Sequence, residues 1–127
     1  MRPTRREFLV GLFAAVVVGN VTKLLAPTTT EETAEALLST LPNRASARAI
    51  GRVFLEERSE EGSRDRLIRK ILGDDRGGSA LSDPGALRVY LRDRIRRDFA
   101  RSETIELDGW VLSLTEVRLC ALATTQA

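Results

Sequence analysis

Behind an N-terminal run with no polar face, apolar residues recur at helical spacing in five places and alternate with polar ones in one. The short polar linker Ala26-Pro27-Thr28-Thr29-Thr30 leads to the first stripe, Ala34, Leu37, Leu38 and Leu41, which predicts a helix over 30–41. Thr29 and Glu32 have the spacing of a capping box, Glu31 and Glu32 suit the positive end of a helix dipole, and Pro42-Asn43 ends the element. Ala47, Ile50, Val53 and Phe54 predict a second helix over 44–57, with Arg48, Arg52 and Glu56 toward water. Gly51 within it costs about 1 kcal/mol relative to alanine. It points to a close helix contact or to nothing, and the latter is the expectation.

Residues 56–66 read as a charged connector ending in Ser63, a cap for a third helix. That helix carries Leu67, Ile68, Ile71 and Leu72 on one side and Arg66, Arg69 and Lys70 on the other. The stretch from Gly73 to Ser79 has two aspartates and several glycines, but it matches neither a phosphate-cradling nor a calcium-binding loop pattern, so it is read as a plain loop. Asp83-Pro84 then supplies an N-cap and first helical residue for the longest helix, 84–101, with Leu87, Tyr90, Leu91, Ile95 and Phe99 inward.

The segment 102–123 is the most sharply specified part of the domain. Thr104-Ile105-Glu106-Leu107 alternates polar and apolar, Asp108-Gly109 is a two-residue hairpin signal, and Trp110-Val111-Leu112 is the return strand. Ser113 and Glu116 form a second capping box, with Leu112 and Val117 placed as a hydrophobic staple. The closing helix, 114–123, offers Leu114, Val117, Cys120 and Ala121 to the core. A two-stranded ribbon is marginal alone, so Trp110 is expected to anchor it against the helices. The fold class is therefore mainly α: an N-terminal signal or anchor helix over 1–26, then a small bundle of about five helices over 27–127 with a short β-hairpin near the C-terminus.

Thr4-Arg5-Arg6-Glu7-Phe8-Leu9 runs directly into the uncharged stretch Val10 to Gly19. This hexamer resembles the motif of twin-arginine translocation signals, with both arginines, the Phe and the Leu in place and Val10 where that family often has lysine. The resemblance covers about the first 25 residues. It implies that a receptor of the translocation machinery reads Arg5 and Arg6, and that Phe8 and Leu9 begin the apolar insertion surface. It also implies that the chain crosses the cytoplasmic membrane already folded. The cleavage windows place Val17 or Leu24 where small residues are wanted, so removal of the segment and its retention both stay open. Phe8 to Ala26 approaches the ~20 residues that span a bilayer. With Arg2, Arg5 and Arg6 inside, the rest of the chain would lie on the outer, periplasmic side.

Composition changes meaning once this segment is set apart. The whole chain of 127 residues has net charge +2, but residues 1–26 hold four of its 20 basic and one of its 18 acidic residues, leaving 16 against 17. The basic pI of 9.2 thus belongs to the leader. With no aromatic residues interleaved among the arginines, nucleic acid is disfavoured as a partner. There is no histidine and one cysteine, so common metal sets and an internal disulfide are out of reach. No cofactor is expected, and Cys120, flanked by Leu119 and Ala121, reads as a buried thiol.

The outer face of helix 84–101 is the most basic part of the domain, with Arg88, Arg92 and Arg96 one turn apart, joined by Arg94, Arg97 and Arg101. A solvated face, a docking surface for an acidic partner and contact with anionic lipid headgroups all fit it. No set of residues reads as catalytic, since Asp108 and Glu116 are explained by a turn and a cap. In size, leader and helical character the chain is similar to the small twin-arginine subunits that accompany periplasmic dehydrogenases, such as that of membrane-bound gluconate dehydrogenase. That likeness carries over no site residue. It implies an exported accessory or anchoring subunit of a cofactor-containing enzyme, with the translocation machinery, the cytoplasmic membrane and an oxidoreductase subunit as partners. A self-standing membrane-tethered interaction domain is the alternative. A small enzyme using Cys120 or the Asp108–Glu116 region is a third reading.

Overall fold

The computed structural model describes residues 29–73 and 80–125. The signal or anchor segment expected over 1–26 lies outside them, as does most of the loop 73–79. Five α-helices and one hairpin make up the described chain: α1 (Thr30–Leu38), α2 (Arg44–Glu57), α3 (Arg64–Leu72), α4 (Pro84–Ala100), β1 (Thr104–Leu107), β2 (Trp110–Ser113) and α5 (Leu114–Thr124). The protein is mainly helical with a short antiparallel hairpin near its C-terminus. Among the described residues, no helix is long and apolar enough to cross a membrane.

Local chemistry starts each element. Thr29 accepts from the Glu32 amide at 3.0 Å while Glu32 accepts from the Thr29 amide at 3.4 Å, completing the first capping box. Asn43, Ser63 and Asp83 accept from the first-turn amides of α2, α3 and α4, satisfying donors that a helix start leaves open. Helix α1 stops at Leu38, short of the expected 41, because the chain tightens: the Thr40 and Leu41 amides reach back only three residues, to Leu37 and Leu38. Leu41 is buried all the same. The hairpin pairs Thr104 with Ser113 and Leu107 with Trp110, closed by Asp108 at φ 50° and Gly109 at φ 82°. Positive φ at both central residues is what a type I′ turn needs, and its twist matches that of the strands.

Helix α5 is the axis. Every residue from Thr115 to Ala123 except Arg118 is buried, and α1, α2, α3 and α4 all pack against it. The expected one-sided stripe of Leu114, Val117, Cys120 and Ala121 is therefore too narrow. Leu119, Leu122 and Ala123 are buried as well, and Leu114 is only half-buried. A helix that is apolar nearly all round is one enclosed by its neighbours. Phe54, Leu37, Leu38, Leu67, Ile71, Leu87 and Leu91 close around it at under 2% exposure. Each such side chain contributes about 1.5–3 kcal/mol by leaving water.

Two inward expectations are overturned. Phe99 is 38% exposed and Trp110 65% exposed. On α4 the buried positions are Leu87, Leu91, Ile95 and Asp98, so the stripe turns onto the aspartate and rotates Phe99 outward. Trp110 sits at the hairpin's turn end, past the edge of the bundle, while its cross-strand partner Leu107 is 5% exposed and supplies the anchor. Ile50, Val53, Leu72 and Tyr90 are half-buried at the rim of the core.

Candidate functional site

The enclosed carboxylates each have a partner within the fold, whereas the Thr115 hydroxyl is buried without one. Glu61, in the 3-10 turn Ser59–Glu61 between α2 and α3, is 5% exposed. Arg118 of α5 grips it with both ends of its fork, Nε donating to Oε1 at 2.9 Å and Nη2 to Oε2 at 3.2 Å, and Arg58 approaches to 3.8 Å. The hydrogen bond from Arg118 holds the Glu61 carboxyl below its ordinary value, against the opposing effect of burial. Sequence reading placed Glu61 in a charged connector. Its partner is 57 positions away, and no local spacing marks it.

Arg64 ties three ends together, donating to Glu31 at 2.7 Å and to the Thr125 carbonyl at 2.8 Å. Asp98, 5% exposed, accepts from the Thr115 amide at 2.8 Å, and so places a carboxylate at the positive end of α5. Ser113 and Glu116 complete the second capping box as expected, at 2.9 and 3.0 Å, and both are buried. Arg94 donates to the Lys70 carbonyl at 3.0 Å, and the Tyr90 hydroxyl donates to the Leu72 carbonyl, so α4 satisfies the open end of α3. Cys120 is 4% exposed. Burial, with a smaller contribution from the Glu116 charge, pushes its thiol up to about 12, which leaves almost no thiolate for nucleophilic work.

The expected sites fall out as follows. Arg5, Arg6, Phe8 and Leu9 lie outside the described residues. Arg88, Arg92 and Arg96 follow one another along α4, but of the three only Arg96 is exposed; Arg88 and Arg92 are half-buried beside the core stripe. The Nε of Arg92 is buried without a hydrogen-bond partner. Among the described residues, no group of His, Cys, Asp and Glu could hold a metal ion.

What stands out is apolar. The large exposed hydrophobic side chains of the described residues are Val89 and Phe99 on α4 and Trp110 and Val111 on β2, and these two elements touch. Trp110 and Val111, neighbours on a strand, point to opposite faces of the ribbon, opposite Leu107 and Glu106. Comparison with family models, curated proteins and solved structures gives no match. The functional reading therefore rests on the leader.

Proposed function

We propose that this chain is an exported, non-catalytic accessory or anchoring subunit that leaves the cytoplasm with a cofactor-containing partner enzyme. One observation carries the reading: Thr4-Arg5-Arg6-Glu7-Phe8-Leu9 stands immediately before an uncharged apolar run. In this reading, the translocation machinery engages Arg5 and Arg6, whose permanently charged planar forks suit carboxylates. The domain then takes up its place on the periplasmic side of the cytoplasmic membrane.

The character of the fold supports this. Capped helices and a tight hairpin close mostly local contacts, the class that folds in about microseconds to milliseconds. Such a domain is compact before a post-translational export system meets its signal, which suits a route for folded passengers. The enclosed carboxylates Glu61, Asp98 and Glu116 are each committed to a structural hydrogen bond.

The test replaces Arg5 and Arg6 with lysine and follows the protein by fractionation. Retention in the cytosol is expected; an unchanged distribution rejects the export reading. Affinity isolation of the intact chain from membranes tests the subunit role. A stoichiometric oxidoreductase is expected, and recovery of the chain alone would tell against it.

A further inference from the structure

We infer that the outer edge of β1 is a docking strand for an extended, cationic segment of another protein, which adds to the hairpin as a third strand. Nothing in this edge depends on the leader, so export and edge pairing stand or fall separately.

In a hairpin with a two-residue turn, the flanking residues, here Leu107 and Trp110, exchange hydrogen bonds, and along an antiparallel ladder such pairs alternate with pairs that exchange none. Ile105 with Leu112 is the next bonded pair. The bond from the Leu114 amide to the Glu103 carbonyl, 3.0 Å long, continues the same parity. The amides and carbonyls of Thr104 and Glu106 therefore point away from β2, and among the described residues they meet no partner. Helix α2 touches β1 without bonding to either residue, and Glu106 is exposed. The other edge is occupied. On β2 the Ser113 amide donates to the Glu116 carboxylate, Val111 has a partner, and α4 touches the strand.

Charge selects the occupant. Glu103, Glu106 and Asp108 are exposed, and among the described residues none of them is ion-paired, whereas Glu31 and Glu35 are held by Arg64 and Arg44. No lysine or arginine stands between Glu103 and Ser113. A second copy is the wrong sign for this edge. In the register that bonds Thr104 of each copy to Glu106 of the other, the two Glu106 residues become diagonal neighbours, about 7–8 Å apart.

Side chains of an added antiparallel strand alternate as those of β1 do. Residues opposite Thr104 and Glu106 lie on the Glu106 side of the ribbon, where lysine or arginine meets the carboxylate. The residue between them lies beside Ile105, which packs against the core, so an aliphatic side chain suits it. The partner is a segment in which cationic and aliphatic residues alternate. Main-chain bonds to Thr104 and Glu106 hold it, and side-chain pairing gives selectivity.

The full-length chain in a zwitterionic detergent is mixed with a short blocked peptide alternating lysine and valine, and amide hydrogen exchange is read residue by residue. Without peptide, the Thr104 and Glu106 amides should exchange faster than those of Ile105 and Leu107, which the hairpin bonds. Added peptide should slow Thr104 and Glu106 selectively, at unchanged helical circular dichroism. Glu106→Lys should weaken binding about fivefold or more, since it sets like charges opposite each other. Glu106→Pro, at an edge amide that the hairpin leaves unused, should abolish the slowing of Thr104. Where the proline unfolds the hairpin, Glu106→Lys, which keeps the backbone intact, decides. No slowing of Thr104 by the peptide overturns the proposal. So does equal slowing by a glutamate and valine peptide, which would remove the charge selection. Slowing that grows with protein concentration in the absence of peptide overturns it too, by making a second copy the occupant.

Discussion

Gly51 of α2 lies directly against the backbone of Cys120 in α5: a Cβ built on it would overlap the Cys120 carbonyl and stand 2.8 Å from the Ala121 Cα. The two helices approach so closely that backbone meets backbone, and only a residue without a side chain fits. Helix propensity and packing disagree here on the sign of a substitution. Propensity alone makes Gly51→Ala stabilising by about 1 kcal/mol, whereas forcing a methyl into a filled contact costs about 1–3 kcal/mol. The obstacle is backbone, which cannot swing aside, so packing should win. Urea unfolding of Gly51→Ala should show a lower midpoint than the parent. A higher midpoint would mean that α2 and α5 separate easily and that the close approach contributes little.

The Glu61–Arg118 pair should show up in the acid dependence of stability. Glu61 is held below its ordinary value of 4.5 when folded. A carboxylate with a depressed folded value stabilises fully above its unfolded value and loses that contribution as pH falls through the folded one. Unfolding free energy should therefore decline as pH drops below about 4.5, and Glu61→Gln should flatten part of that decline. Arg118→Met should be worse at neutral pH, by about 3–5 kcal/mol, because it leaves a buried charge without its partner. Removing both partners together, as Glu61→Leu with Arg118→Leu, should be milder than Arg118→Met. Additive losses would show that the two side chains act independently.

Those two cases mark where sequence stops being informative. Thr29 with Glu32, Ser113 with Glu116 and the Asp108-Gly109 turn are legible because each bonds within about one turn of itself, so spacing alone decides the chemistry. Gly51 against Cys120 and Glu61 against Arg118 join residues far apart in the chain, and nothing near either partner records the other. The outward turn of Phe99 is hidden in the sequence for a related reason. Periodicity favours the larger apolar residue, but the Thr115 amide at the start of α5 needs an acceptor, and Asp98 turns inward to supply it. The enclosure of α5 on all sides was likewise hidden, since a short apolar helix reads the same whether one neighbour covers it or four.

Cys120 should behave as a reporter of unfolding. At 4% exposure, with its thiol pushed up to about 12, it should label with a disulfide reagent only as fast as the core opens, and addition of urea should speed labelling in step with loss of helical signal. The sign of its pH effect is opposite to that of Glu61. A raised folded value stabilises fully below the unfolded value, near 9.0, and that contribution is lost as pH climbs from there toward 12. Cys120→Ala should remove this alkaline loss. Rapid labelling in native buffer would contradict an enclosed thiol and reopen nucleophilic chemistry at this position.

Trp110 and Leu107 face each other across the hairpin yet should respond oppositely to truncation. Trp110 is 65% exposed and Leu107 5% exposed, so most of the indole's apolar area stays in water when the protein folds, whereas the leucine is enclosed. Leu107→Ala should cost about 2–5 kcal/mol, the range for removing a buried leucine. Trp110→Ala should stay within about 0.5 kcal/mol of the parent, as surface substitutions do. Chemical unfolding in vesicle-free buffer, followed by far-ultraviolet circular dichroism so that the lost fluorophore does not matter, gives both numbers. Near-neutral loss of so large a side chain would show that the fold does not depend on it. A cost for Trp110→Ala comparable to that of Leu107→Ala would instead return the indole to its expected place as the anchor of the hairpin.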